Sequence, residues 1–214
     1  MAFIRAPLQV CTSQILEWYM SGAVVVPLAS APLAQPVGSM LAQLEPFSVA
    51  GSRQLLVATH GEWTAYFNSG LTGTDAASIG YLAKRLGCDT LDLRICDEPA
   101  LSAIGGIGLT LYGPKDTEWQ NIVRHVGWLQ DGDRAKFAEQ GAPLPFERVD
   151  SYKVRRVRDR LTRERLLEYA AALGVRPLDE AFYRPEGVLL TTALAETMPR
   201  FTFREWHEKY WGRG

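Results

Sequence analysis

The sequence predicts an α+β fold: a mixed or mainly antiparallel sheet built from hairpins, packed with helices, and a helical, arginine-rich C-terminal region. Three observations lead there. Two β-prone runs, Leu55–His60 and Trp63–Phe67, close around a glycine-containing turn. Ile79, Leu82, Ala83 and Leu86 recur at the i, i+3, i+4, i+7 spacing of one helix face. Helices and hairpins then follow one another without the regular strand–helix–strand alternation of a parallel sheet.

Taken in order, Ser13 caps a short helix carrying Ile15, Leu16 and Tyr19, and Gly22 ends it. A strand at Ala23–Leu28 follows, placed at a sheet edge because Pro27 has no N–H to give a second neighbour. Ser30–Pro36 reads as a connection and Val37–Leu44 as a short helix. In the hairpin, Gly61 suits the first central position of a two-residue type II′ turn, so that His60 and Trp63 face each other. Thr74 or Asp75 caps the next helix and Gly87 stops it. Leu91, Leu93 and Ile95 alternate with Asp92 and Arg94, and Ile107, Leu109 and Leu111 repeat the period of two, which predicts an antiparallel pair.

Two readings compete beyond that pair. Thr117 and Gln120 have the spacing of a capping box for a helix over Thr117–Val126. Asn121–Gln130, the turn dipeptide Asp131-Gly132 and Arg134–Glu139 read instead as a hairpin, and the turn favours this second reading. Residues 1–142 thus make an α+β body, and 143–214 a mainly helical region expected to pack on it as one domain. That region starts with a helix from Asp150 or Ser151 whose seam is Val154, Val157 and Leu161. A second helix follows Thr162, burying Leu166, Tyr169, Ala170 and Leu173 and stopping at Gly174. A strand at Val188–Ala193 precedes a terminal helix, opened by the Thr202 and Glu205 capping box, with Phe203, Trp206, His207 and Tyr210 on one side.

The 214 residues are 47% hydrophobic and 22% charged, which excludes a predominantly disordered, collagenous or coiled-coil chain. A chain of this size buries about 70% of its unfolded surface, enough for a core without metals or disulfides. The net charge of −1 argues against a generic polyanion binder, so nucleic acid is a minor expectation. Yet residues 1–150 carry 10 basic and 15 acidic groups, and 151–214 carry 13 and 9, so near-neutrality is a cancellation between two regions. Cys11, Cys88 and Cys96 form no CxxC pair and read as reduced, structurally placed thiols. The most apolar stretch, Ala23–Ala34, is broken by two prolines and falls short of the ~20 residues of a membrane span. A cytoplasmic protein without a membrane partner is expected.

Several chemistries have no motif here. There is no GxxxxGK[ST], no GxGxxG between a strand and a helix, no HExxH, no GxSxG and no EF-hand loop. His60, His125 and His207 fall in three separate elements, so neither a histidine-rich metal site nor any cofactor is expected. Asp131 and Asp133 around Gly132 read as turn residues.

Four groups remain as candidates. The loop Asn68–Asp75, and within it Ser69–Asp75, offers glycines and hydroxyls ahead of a helix, against the simpler reading that Thr74 or Asp75 is only a cap. His60 with Glu62, and with Asp75 if the fold brings it close, has the types of a general base and its orienting carboxylate. The run Lys153, Arg155, Arg156, Arg158, Arg160, Arg163 and Arg165 would form a positive helix face, for an acidic partner, for nucleic acid, or for the acidic body of the same chain. Among six tryptophans, Trp63 beside the hairpin turn and Trp211 near the C-terminus are expected to be exposed interface anchors.

The blocks Gly61-Glu62-Trp63-Thr64-Ala65-Tyr66-Phe67-Asn68-Ser69-Gly70, Gly80-Tyr81-Leu82 through Leu86-Gly87-Cys88, and Arg158-Asp159-Arg160-Leu161-Thr162 resemble an uncharacterised bacterial family of cytosolic proteins. In size and character such proteins are similar to immunity proteins. The resemblance implies a protein-binding factor that neutralises a cognate toxin, and it assigns no residue a role. Partner-binding residues are therefore expected among Trp63, His60, Glu62, Asp75, Arg155, Arg156, Arg158 and Trp211. The alternatives are an enzyme acting on a small molecule or nucleotide near His60, Glu62 and Ser69–Asp75, and a nucleic-acid-associated regulator using the Arg155–Arg165 helix.

Overall fold

The computed structural model describes residues 1–21, 28–48, 53–70, 76–96, 105–131, 134–192 and 199–210. Its strands are β1 (Ala2–Ile4), β2 (Leu28–Leu33), β3 (Arg53–Thr59), β4 (Thr64–Asn68), β5 (Thr90–Cys96), β6 (Gly106–Thr117), β7 (Gln120–Asp131), β8 (Arg134–Gln140) and β9 (Tyr183–Thr192). They form one antiparallel sheet in the order β2-β9-β3-β4-β1-β5-β6-β7-β8. The helices are α1 (Leu8–Ser21), α2 (Val37–Ala42), α3 (Ala76–Leu86), α4 (Val157–Arg160), α5 (Arg163–Ala172) and α6 (Phe203–Tyr210). The α+β class and the antiparallel sheet are those the patterning predicts.

Alternation along the strands makes two cores. Leu55 and Val57 of β3, Leu91 and Leu93 of β5, Leu109 and Leu111 of β6, and Val126 and Trp128 of β7 point to one face. There Met40 of α2, Tyr152, and Leu166 and Tyr169 of α5 cover them. The intervening residues Leu56, Tyr66 and Tyr112 join Ile4 on the other face, under Cys11 and Ile15 of α1 and Ile79 and Leu82 of α3. The first core runs the width of the sheet. The second stops early: none of its buried members comes from β7 or β8 among the described residues.

Several local expectations change. Helix α1 begins at Leu8, a turn before Ser13, directly after Pro7, whose carbonyl accepts the Cys11 N–H. The strand placed at Ala23–Leu28 lies mostly outside the described residues. The proline-containing segment after it, taken as a connection, is β2, and Pro32 is tolerated there because β2 has only β9 as a neighbour. Helix α2 stops at Ala42, short of Leu44. In the β3–β4 hairpin Ala58 pairs with Thr64, and the Thr59 hydroxyl donates to the Trp63 carbonyl. Thr59, not His60, therefore stands opposite Trp63, and the turn is longer than two residues. The hairpin reading prevails over a helix at Thr117–Val126: Thr117 and Gln120 pair across the β6–β7 turn, and β7 and β8 pair down to Asp131 and Arg134.

The long arginine helix does not form. A 3₁₀ turn at Val149–Lys153, extended backbone at Val154 and Arg156, the four-residue α4 and an extended Leu161 break it. Arginine side chains take over carbonyls that a continuous helix would have satisfied: Arg160 Nε donates to the Val154 carbonyl, and Arg165 Nη1 to those of Asp159 and Arg160. Leu161 is buried as expected, but Val154 is 42% exposed. The C-terminal region also supplies β9, which lies inside the sheet between β2 and β3. The Thr202 and Glu205 box opens α6 through reciprocal bonds, Thr202 N–H to Glu205 Oε2 and Glu205 N–H to Thr202 Oγ1. Phe203, placed on its apolar side, is 59% exposed.

Candidate functional site

The structure separates the residues that sequence patterning brings forward. His60 and Glu62 are exposed at one end of the β3–β4 hairpin, and Glu62 is held by Arg5 at 2.6 Å. Ser69 follows the other end of β4, about 17 Å away at the rise of a strand. It is fully buried, its hydroxyl accepting the Arg53 N–H and its N–H donating to the Arg53 carbonyl. Asp75, with the rest of the loop from Leu71, and Trp211 lie outside the described residues. Trp63 is 4% exposed, its Nε1–H donating to the Leu173 carbonyl at 3.0 Å. It is a core residue under the hairpin, not an exposed anchor, because the longer turn folds its ring inward against the end of α5.

The basic run is used largely within the chain. Arg158 lies over the Trp128 ring, 5.6 Å from its centroid, and donates to Gln130 Oε1. Arg156 meets Asp159 at 3.7 Å, and Arg160 covers the Phe137 ring. Arg155 stays exposed.

A buried charged cluster that no motif announces sits at the far end of the first core. Arg124 is fully buried. Its Nε and Nη2 donate to both oxygens of Glu147, Nη2 also to Glu139, and Nη1 to the carbonyls of Gln140 and Gly141. Glu147 accepts in addition the Leu144 N–H and the Tyr152 hydroxyl. Burial alone would raise the Glu147 carboxyl, but these bonds outweigh it and hold it below its ordinary value. Every nitrogen of the guanidinium is satisfied, so the cluster is a clamp that fastens the 141–152 segment across β7.

Among the described residues, no helix covers the half of the second face beyond α1 and α3. Strand register lines up its side chains in rows. Asp92, Thr110, His125 and Gln140 are successive partners across β5, β6, β7 and β8. Arg94, Gly108, Gly127 and Ala138 form the next row, and Cys96, Gly106, Leu129 and Lys136 a third. The glycines leave a bare backbone floor, and a cavity of about 170 Å³ opens over it, walled by Asp92, Arg94, Thr110, Tyr112, His125 and Leu129. Gly127 is required there: a Cβ would come 2.8 Å from the Gly108 Cα and the Ile107 carbonyl.

Thr110 Oγ1 and His125 Nδ1 are hydrogen-bonded at 2.9 Å, and His125 Nε2 has no partner among the described residues. Burial, then the charge of neighbouring Arg124, lowers the His125 pKa, with Asp92 opposing and Arg94 adding, so the ring is neutral at pH 7. Half-buried Arg94 has no hydrogen-bond or ion-pair partner among the described residues, whereas Asp92 is engaged within the chain. Leu129 is 45% exposed at the rim. Patterning foretold the alternation that turns Asp92 and Arg94 outward. What it lacked was the register that sets them beside Thr110 and His125.

Two wider clefts carry less. The larger, about 730 Å³, contains Arg5, Glu62, Arg184 and Glu186, whose charges pair with one another or with Asp89. Among the described residues no group of three or more His, Cys, Asp and Glu side chains is placed to hold a metal ion, and no helix is long and apolar enough to cross a membrane. No protein-family model, no curated protein and no solved structure matches the chain.

Proposed function

We propose that this chain is a binding protein, of the inhibitor or immunity kind, that recognises another protein with the open face of β5–β8. One observation carries the reading: a sheet face that no helix covers among the described residues presents a half-buried Arg94, without a hydrogen-bond or ion-pair partner among them, and an exposed Leu129 around a concave polar centre. Arginine is among the residues enriched at the centres of interfaces. The adjoining β8 is the edge of the sheet, with a row of backbone groups available to a partner strand.

Catalysis near His60 has less support, since His60 and Glu62 sit a strand's length from Ser69 and Glu62 is held by Arg5. A photo-crosslinking residue at position 129, expressed in the native host, tests the proposal. One partner band is expected from position 129, lost on adding Arg94→Gln with Lys136→Glu, and absent when the crosslinker sits at exposed Leu178. Equal capture from both positions, or none from 129, would overturn it.

A further inference from the structure

We infer that the cavity over Gly108 and Gly127 is an anchor pocket for a single carboxylate side chain, an Asp or Glu, presented by the partner protein; this rests on the binding reading given above. Size limits the occupant first. At about 170 Å³ the cavity holds the volume of five or six waters at ~30 Å³ each, well under the ~300 Å³ where pockets for cofactors and drug-sized ligands begin. It suits the head of one side chain.

Charge limits it next. Arg94 and Asp92 both line the cavity; Asp92 has a contact within the chain, whereas Arg94 has no hydrogen-bond or ion-pair partner among the described residues, so the guanidinium is the charged group with donors left to give. Its guanidinium offers a planar fork matched to a carboxylate. In the tautomer whose Nδ1 accepts from the Thr110 hydroxyl, the His125 ring carries its proton on Nε2, a second donor with no partner among the described residues, and a bound carboxylate selects that tautomer. The floor completes the fit. With no Cβ at Gly108 or Gly127, a side chain entering from above can reach the depth of the strands before meeting an atom, with Leu129 and Tyr112 in the walls beside it. A lysine or arginine entering the same space would meet the like charge of Arg94, and Asp92 already has a contact within the chain. An apolar side chain would leave the guanidinium desolvated and unpaired.

The test uses the capped peptide acetyl-Ala-Glu-Ala-amide, with its Gln counterpart and inorganic phosphate as comparators, on the full chain followed by NMR. The Glu peptide should shift the Arg94 Nε and His125 ring signals in a saturable way at millimolar concentration, and the Gln peptide should leave them in place. Arg94→Gln should weaken the Glu peptide at least tenfold. Arg94→Lys, which keeps the charge and loses the fork, should weaken it three- to tenfold with the amide spectrum otherwise unchanged.

Phosphate saturating the same signals as tightly as the Glu peptide would overturn the inference in favour of a nonspecific anion site. Absence of any shift with the Glu peptide would overturn it as well. The crosslink from position 129 reads the partner separately. A partner held there with undiminished affinity by Arg94→Gln would refute the carboxylate anchor and leave the binding face standing.

Discussion

Trp63 shows how far one side chain's role depends on a turn. One residue more in the hairpin loop moves it from a candidate contact to a buried ring whose indole N–H is used by Leu173. Trp63→Ala should therefore cost stability, about 3–5 kcal/mol in chemical denaturation, by the cavity it leaves. Glu147 makes the corresponding case for charge. Removing one member of a buried pair strands the other, so Glu147→Ala should cost about 3–5 kcal/mol. Its pKa in the folded state is depressed, so its contribution is present above the ordinary carboxyl value and is lost as pH falls through the lower folded value. Acid unfolding curves followed by circular dichroism should show the wild type losing stability below about pH 4.5, and Glu147→Gln, already without that contribution, a shallower fall over the same window. An unchanged slope would remove Glu147 from the account. Cys11, buried and pushed up to about 12, should resist thiol reagents in the native state.

Among the elements, the legible ones carry either a pattern long enough to repeat or a strong turn dipeptide. The face of α3 and the alternation of β5 and β6 each repeat several times and are found where they are expected, and the β7–β8 hairpin, read from its turn dipeptide, joins them. β1 is three residues long, fully buried, and lies between β4 and β5; three apolar residues carry no period to read. The arginine segment failed in the opposite direction. Its seam of Val154, Val157 and Leu161 is helical in spacing, but tertiary contacts of Arg158 and Arg160 with Trp128 and Phe137 favour a broken path over the sheet. The site depended on register, which no single strand reveals: Arg94, Gly108 and Gly127 come from three elements. Gly127→Ala should be destabilising by about 1–3 kcal/mol, because backbone on the neighbouring strand must move. Gly38→Ala in α2, where a Cβ meets nothing within 4 Å, should be neutral or stabilising by about 0.5–1 kcal/mol. Equal midpoints for the two variants in urea would contradict the close packing of β6 on β7.

At the scale of the whole molecule, the asymmetry of charge has an internal use. Arginines of the C-terminal region cover aromatic rings and carbonyls of their own chain, which accounts for much of the positive excess there. On the acidic body itself, Arg94 stands without a hydrogen-bond or ion-pair partner among the described residues, on a face that no described helix covers. Recognition through that face, and not through the residues prominent in the sequence, is the central claim. Once the crosslinked partner is in hand, its affinity for surface variants decides the matter. Leu129→Asp, at a position exposed enough to leave the fold intact, should weaken binding at least a hundredfold, while Glu62→Ala and Arg155→Ala should change it less than threefold. Strong loss from Glu62→Ala or Arg155→Ala with no effect of Leu129→Asp would contradict the account.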